Sequence, residues 1–193
     1  MNTPTERIRQ HLEQVTHLRA HLQDAALAQA VREIKVLQAR RFEATYADLL
    51  TDLRHRPATR FFLDELYGDH DFAQRDAQFA RIASAIERLF PEAVSDLAVD
   101  LAETHALTET LDHQVAEHWL AQDSDCPYAE RYVRSWRLTG DRASRQRQLT
   151  VVLHMGQELQ RLTRMKSLLI ALKLMRGPAQ AAGLASLQQF LER

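Results

Sequence analysis

Three features of the sequence predict an all-α protein, a single-domain helical bundle of about seven helices around one buried helix over residues 149–175. Apolar residues recur at helical spacing along nearly the whole chain, with no strand-like alternation and no repeat of fixed period. Glycine and proline are scarce, 5 of each in 193 residues, and most stand where a helix should start or stop. With 45% hydrophobic and 26% charged residues, the chain can bury a core of useful size and lacks the composition of a disordered one.

The first helix begins at a capping box: Thr3 caps, Pro4 takes the first helical position, and Glu6 reaches back. Ile8, Leu12, Val15, Leu18 and Leu22 follow at helical spacing. After Asp24 a second run, with Leu27, Val31, Ile34, Phe42, Tyr46, Leu49 and Leu53, reaches Arg56, where Pro57 should end it. No glycine or proline separates Thr5 from His55, so the long N-terminal helices over 1–56 read either as one interrupted helix or as a hairpin, ahead of a helical core over 57–193.

Phe61, Phe62, Leu66 and Tyr67 predict a short apolar helix closed by a left-handed Gly68, and Asp71 with Gln74 predicts the capping box of the next one. Pro91 opens a segment that runs to Trp119 on an inner stripe of Val94, Leu97, Leu101, Leu111 and Val115. Thr108 and Asp112 fall inside that stripe. A buried carboxylate is costly unless paired, so Asp112 is expected to meet an arginine or another donor. A turn at 124–127 leads to a helix over 128–138, and Thr139, Gly140 and Asp141 supply a C-cap followed by an N-cap.

In the stretch 149–175, Val151, Val152, Met155, Leu159 and Leu162 share one arc opposite His154, Gln157, Glu158, Arg161 and Arg164. From Leu168 to Met175 only Lys173 interrupts the apolar residues, the pattern of a helix covered on all sides. That run is less than half of the roughly 20 apolar residues needed to span a bilayer, so no membrane is expected. After Gly177 and Pro178 a last helix, with Leu184, Leu187, Phe190 and Leu191 on its apolar face, closes the chain.

The net charge is −1, which gives the whole molecule no electrostatic pull toward nucleic acid or anionic membrane. The start lacks a signal-peptide pattern and a single Cys126 cannot form an internal disulfide, so a cytoplasmic location is expected. Charge is unevenly distributed. Residues 91–130 hold ten acidic residues and no Lys or Arg, whereas residues 131–178 hold eleven basic residues against Asp141 and Glu158. Packing the two segments side by side would neutralise both; an exposed basic groove is the sharper alternative.

The phrase RFFLDELYG-x-x-DFAQRD over 60–76 and LMRGPAQAAGLASLQQFLE over 174–192, together with Gly140-Asp141-Arg142, resemble an uncharacterised family of bacterial all-helical proteins known by an FFLxxLYG signature. The resemblance covers roughly residues 30–193. It implies a helical fold and no particular activity. Similar chains continue with Gly-Phe past the position of Arg193, a departure of this sequence from the family pattern.

Several constellations could carry chemistry. His105, Glu109, His113 and Glu117 stand four apart, but that spacing drifts about 40° per step, so a polar helix face accounts for them and no metal is expected. Cys126 sits before Pro127 beside Asp123 and Asp125, whose charges disfavour a thiolate. No phosphate loop, nucleophile elbow or HExxH motif occurs, and no cofactor is implied. Arg131, Arg134, Arg137, Arg142, Arg145 and Arg147, with Tyr128, Tyr132 and Trp136 among them, form the best anion-binding candidate and would suit a single-stranded nucleic acid. Arg60, Asp64, Tyr67, Asp71, Arg75 and Asp76 could line a small-ligand pocket with Arg176, or simply fix a turn through caps and ion pairs.

The reading these residues favour is a non-catalytic protein that binds a partner protein or a second copy through an amphipathic helix face, with Leu12, Leu18 and Leu22 as the expected contact stripe. A small-molecule or enzymatic pocket near Tyr67 and Arg176 is the alternative. Nucleic-acid binding through the arginine cluster stands third.

Overall fold

In the computed structural model the described residues are 2–20, 24–66, 72–123 and 125–166, with 170, 173–174 and 176–177. They form eight helices and no strand: α1 (Pro4–Ala20), α2 (Ala25–Thr45), α3 (Ala47–Thr51), α4 (Arg56–Leu66), α5 (Ala73–Leu89), α6 (Glu92–Leu120), α7 (Tyr128–Thr139) and α8 (Arg142–Leu162). The all-α expectation holds. Tyr67, Gly68 and Asp71, and the expected last helix after Gly177, lie outside the described residues.

Local chemistry sets most of the boundaries. Thr3 and Glu6 form the reciprocal capping box, with Thr3 N donating to Glu6 Oε2 at 2.8 Å and Glu6 N to Thr3 Oγ1 at 3.2 Å. Asp24 caps α2 by accepting from Ala26 N at 2.8 Å, so residues 5–56 are not one continuous helix. The run expected to reach Arg56 breaks earlier, at Tyr46 and again at Asp52, whose carboxylate accepts from Arg54 N and pairs with His55 Nδ1. Pro57 stands in the first turn of α4 instead of beyond a helix end. A first-turn N–H has no intrahelical partner, so its loss at proline costs nothing there. Phe90, extended, precedes Pro91 and α6 as expected. Gly140 closes α7 at φ 68, a conformation disfavoured for a residue with a Cβ, and Asp141 Oδ1 accepts from Ser144 N to start α8.

The contacts gather into two compact units. One comprises Met1–Thr16, Phe72–Leu107 and Arg145–Arg193, the other His17–Asp71 and Thr108–Ser144. In the first, Ile8 and Leu12 of α1, Phe79, Ala83 and Ile86 of α5, and Ala98, Val99 and Ala102 of α6 make the core. Alanines on α6 leave room for the large side chains of its neighbours, the ridge-and-groove arrangement that gives dense packing. In the second unit, Ala30, Val31 and Ile34 of α2 meet Val115, Ala116 and Trp119 of α6 and Tyr132 of α7. Both helices present the same i, i+1, i+4 pattern. Each fully buried Val, Leu or Ile contributes about 1.5–3 kcal/mol of transfer energy.

Two expectations are corrected. The helix placed over 149–175 starts at Arg142 and ends at Leu162; Val151, Met155 and Leu162 are its buried residues, while Leu149 and Leu153 are exposed. Ile170 and Leu174 are 58% and 74% exposed, and Leu168, Leu169, Leu172 and Met175 lie outside the described residues. The long buried helix is α6, whose apolar residues supply both cores. Its interior combines Ala98, Val99, Ala102, Leu111, Val115 and Trp119 with the buried Glu109 and Asp112. The second correction concerns the Leu12, Leu18 and Leu22 stripe. Leu12 is only 4% exposed in the first unit's core, Leu18 is half-buried, and Leu22 is not described, so this stripe is not an open contact face.

Candidate interaction surface

The buried charges are held by groups within their own unit. Glu109 of α6, 7% exposed, accepts from Lys35 Nζ at 2.7 Å and Arg19 Nη2 at 3.4 Å. One turn on, Asp112 Oδ1 accepts from Gln38 Nε2 at 2.7 Å, the donor that the sequence required. These carboxylates tie α2 and the end of α1 to α6. In the other unit Asp76 of α5 pairs with His105 Nε2 at 2.9 Å and with Arg75 at 3.6 Å, while the Arg75 guanidinium lies 3.9 Å from the Phe72 ring centroid. Phe72 also meets His105 edge-on at 6.1 Å. Phe72, Arg75 and Asp76 belong to the signature phrase, and here they anchor α5 to α6. A His–Asp pair can act as a base only where a substrate can reach it; the two side chains are 12% and 8% exposed, which suits an anchor better than a reaction centre.

The four residues once grouped as a possible metal set have different surroundings. His105 meets Asp76, Glu109 meets the two cations, and His113 pairs with the largely exposed Glu117 at 3.6 Å. Three of these four side chains are therefore largely interior, and only Glu117 stands well in solvent.

Among the ligand-pocket candidates, Arg60 pairs with Glu43 at 3.5 Å and Asp64 at 3.9 Å, all three about half exposed. Arg60 and Asp64 belong to one unit, Arg75 and the exposed Arg176 to the other. Tyr67 and Asp71 are not described. Cys126 is a free, half-buried thiol.

The arginine cluster also divides. Arg131, Arg134 and Arg142 fall in one unit, Arg145 and Arg147 in the other. Arg131 donates from Nε and Nη2 to the Trp119 carbonyl at 3.0 and 2.6 Å, and its guanidinium stacks 4.2 Å from the Trp119 ring. It thereby adds a charged donor to a carbonyl in the last turn of α6 that also accepts from Gln122 N at 3.3 Å. Arg134 pairs with Glu130 at 2.9 Å. Arg147 forms a bidentate bridge to Glu103 at 2.5 and 2.7 Å, and His154 pairs with Asp100. Acidic and basic segments do neutralise one another here, between α6 and α8. The hydrogen bond from Arg147 draws the Glu103 carboxyl below its ordinary range, and the bond to Asp100 raises His154. Burial lowers His11, which lies near Glu103. Among the described residues, Arg137 and Arg142 form no ion pair.

One surface is left with the wrong polarity for water. Tyr132 and Ser135 fix the inner face of α7 at 4% and 0% exposure. Outward on the same helix, Val133 is 44% and Trp136 41% exposed, in line with the exposed Ala129 at i, i+4, i+7 spacing. Arg134 and Arg137 border this strip. The sequence placed Trp136 among the arginines but could not assign it a side of the helix. The signal that could have done so is the Tyr132–Ser135–Thr139 spacing, which marks the inner face by the residues that hydrogen-bond inward: Ser135 Oγ accepts from Gln122 Nε2 and itself donates to Arg131 O.

Among the described residues, eight helices, two cores and buried charges paired within each unit define an all-α protein stabilised by polar contacts along α6 as well as by apolar packing. The chain belongs to the family described as domain of unknown function DUF8198, whose family model matches residues 17–193. That span contains α2 to α8 and both signature phrases. Comparison with curated proteins finds no match, and comparison with solved structures finds none. Among the described residues no helix is long and apolar enough to cross a membrane.

Proposed function

We propose that the chain is a non-catalytic helical protein that binds another protein through the outer face of α7. The observation that carries this reading is Trp136, 41% exposed beside Val133 on a helix whose Tyr132 and Ser135 are buried. Tryptophan and arginine are the residues in which binding energy concentrates at protein interfaces, and α7 sets both on one exposed surface. The pocket alternative has less support, because Arg60 and Asp64 already pair with each other and Arg75 is engaged by Phe72 and Asp76. Nucleic-acid binding loses two of its cations to Trp119 and Glu103. A chain with a lone cysteine suits the cytoplasm, the compartment we assign to it.

The test is a photo-reactive amino acid placed at position 133, with the exposed Gln29 as control position, in cells that make the protein. The adduct is identified by mass spectrometry and the captured protein is purified and titrated. Position 133 should yield a discrete adduct that position 29 does not. Trp136→Ala should weaken the purified pair by roughly 30-fold, the cost of truncating an interface hot spot of about 2 kcal/mol. Absence of an adduct, or binding unaffected by Trp136→Ala, would refute the proposal.

A further inference from the structure

We infer that the partner segment seated on α7 is an amphipathic helix with an acidic flank; this rests on the protein-binding reading above. Ala129, Val133 and Trp136 form a two-turn apolar strip, about 10 Å long at 1.5 Å per residue, which matches one crossing of a second helix. The adjacent arc carries Arg134 and Arg137. Arg137 forms no ion pair among the described residues, and the Arg134 bridge to Glu130 joins side chains 57% and 56% exposed, a contact that an incoming carboxylate can replace at little cost. A helix with Glu or Asp beside its apolar stripe therefore meets one open cation and one exchangeable cation. A helix flanked by Lys or Arg meets repulsion.

The same charges argue against a second copy as occupant. A two-fold pairing sets each surface patch against itself, so Arg134 and Arg137 would approach the same residues of the other copy. They also argue against a nucleic acid. Phosphate binding gains affinity with each cation engaged, and Arg131 and Arg147 are already committed to Trp119 and Glu103.

Two synthetic helical peptides with the same leucine stripe, one flanked by Glu and one by Lys, are titrated against the full chain by fluorescence anisotropy at low and moderate salt. The acidic peptide should bind at least about tenfold tighter, lose affinity with salt, and exchange rank with the basic one in Arg137→Glu. Arg137 is exposed, so circular dichroism should show that variant folded as the parent. Equal binding of the two peptides, both weakened by Trp136→Ala, would overturn the acidic partner and leave the protein-binding reading standing. Binding that ignores Trp136→Ala, or no binding of either peptide, would overturn both. Displacement of the acidic peptide by a mixed-sequence single-stranded oligonucleotide, or a self-association in sedimentation that Trp136→Ala abolishes, would assign the face to nucleic acid or to a second copy and overturn the inference.

Discussion

Replacing Arg131 by alanine should destabilise the protein by about 3 kcal/mol, because Arg131 holds the end of α6 and is not a spare cation. Its guanidinium gives two N–H donors to the Trp119 carbonyl at 3.0 and 2.6 Å, in the last turn of a helix that ends at Leu120. A hydrogen bond from a charged donor contributes roughly 1.5–3 kcal/mol, and without it the Trp119 carbonyl keeps only the longer bond from Gln122 N at 3.3 Å. Stacking at 4.2 Å over the indole adds about 1 kcal/mol for a partly shielded cation. The sum is taken near the middle of the range because Arg131 is itself half-buried. Urea unfolding followed by the emission of Trp119 in a Trp136→Phe background measures it. Arg131→Lys should restore less than half, since an ammonium can neither fork onto one carbonyl nor stack as a plane. A loss below about 0.5 kcal/mol for Arg131→Ala, the scale of ordinary surface substitutions, would refute the reasoning and return Arg131 to the pool of anion-binding candidates.

Gly140→Ala should destabilise by about 1–2 kcal/mol in the same assay, because φ is 68 there and a Cβ strains that conformation whatever the space around it. Gln38→Leu removes the 2.7 Å donor from buried Asp112 and should cost about 2 kcal/mol, with part regained when Asp112→Leu is added, since the loss comes from leaving one partner behind. The pair His154–Asp100 should make stability depend on pH. His154 is raised above its ordinary 6.5, so its stabilising contribution is complete below that value and fades as pH rises through the raised one. Unfolding curves of the parent and His154→Gln should therefore converge as pH rises through the raised pKa. Glu103 has the opposite sign: its pKa lies below 4.5, so its contribution is present above that value and is lost as pH falls through the lowered one, and Glu103→Gln should narrow the acid-side difference.

Helix ends were the most legible part of the sequence. Thr3 with Glu6, Asp24, Pro91 and Gly140 each act within a few residues of themselves, and the structure shows the hydrogen bonds or the positive φ that the sequence implies. The need of Asp112 for a donor was legible too, though not that Gln38 would meet it from 74 positions away. Pro57 was misread because proline ends one helix and begins another with equal ease; only the hydrogen bonds around Asp52 decide. The buried helix was misplaced for a physical reason. Burial in α6 rests in part on Glu109 and Asp112, paired to α1 and α2, and on His105, paired to Asp76 of α5, and such pairs have no one-dimensional signature. His105 and Glu109 looked like a solvated face because their partners, Asp76, Lys35 and Arg19, stand far away in sequence. The candidate surface was half legible: the arginines and Trp136 were visible as a cluster, but which of them turn inward depends on Trp119 and Gln122.

The most direct test of the α7 reading is the stability and partner affinity of Trp136→Ala measured on one preparation. Because Trp136 is 41% exposed and the inner face of α7 rests on Tyr132 and Ser135, the unfolding free energy should stay within about 0.5 kcal/mol of the parent while affinity for the protein crosslinked at position 133 falls roughly 30-fold. A loss of about 2 kcal/mol or more in stability with affinity unchanged would make Trp136 a residue of the fold and contradict the assignment of this face to recognition.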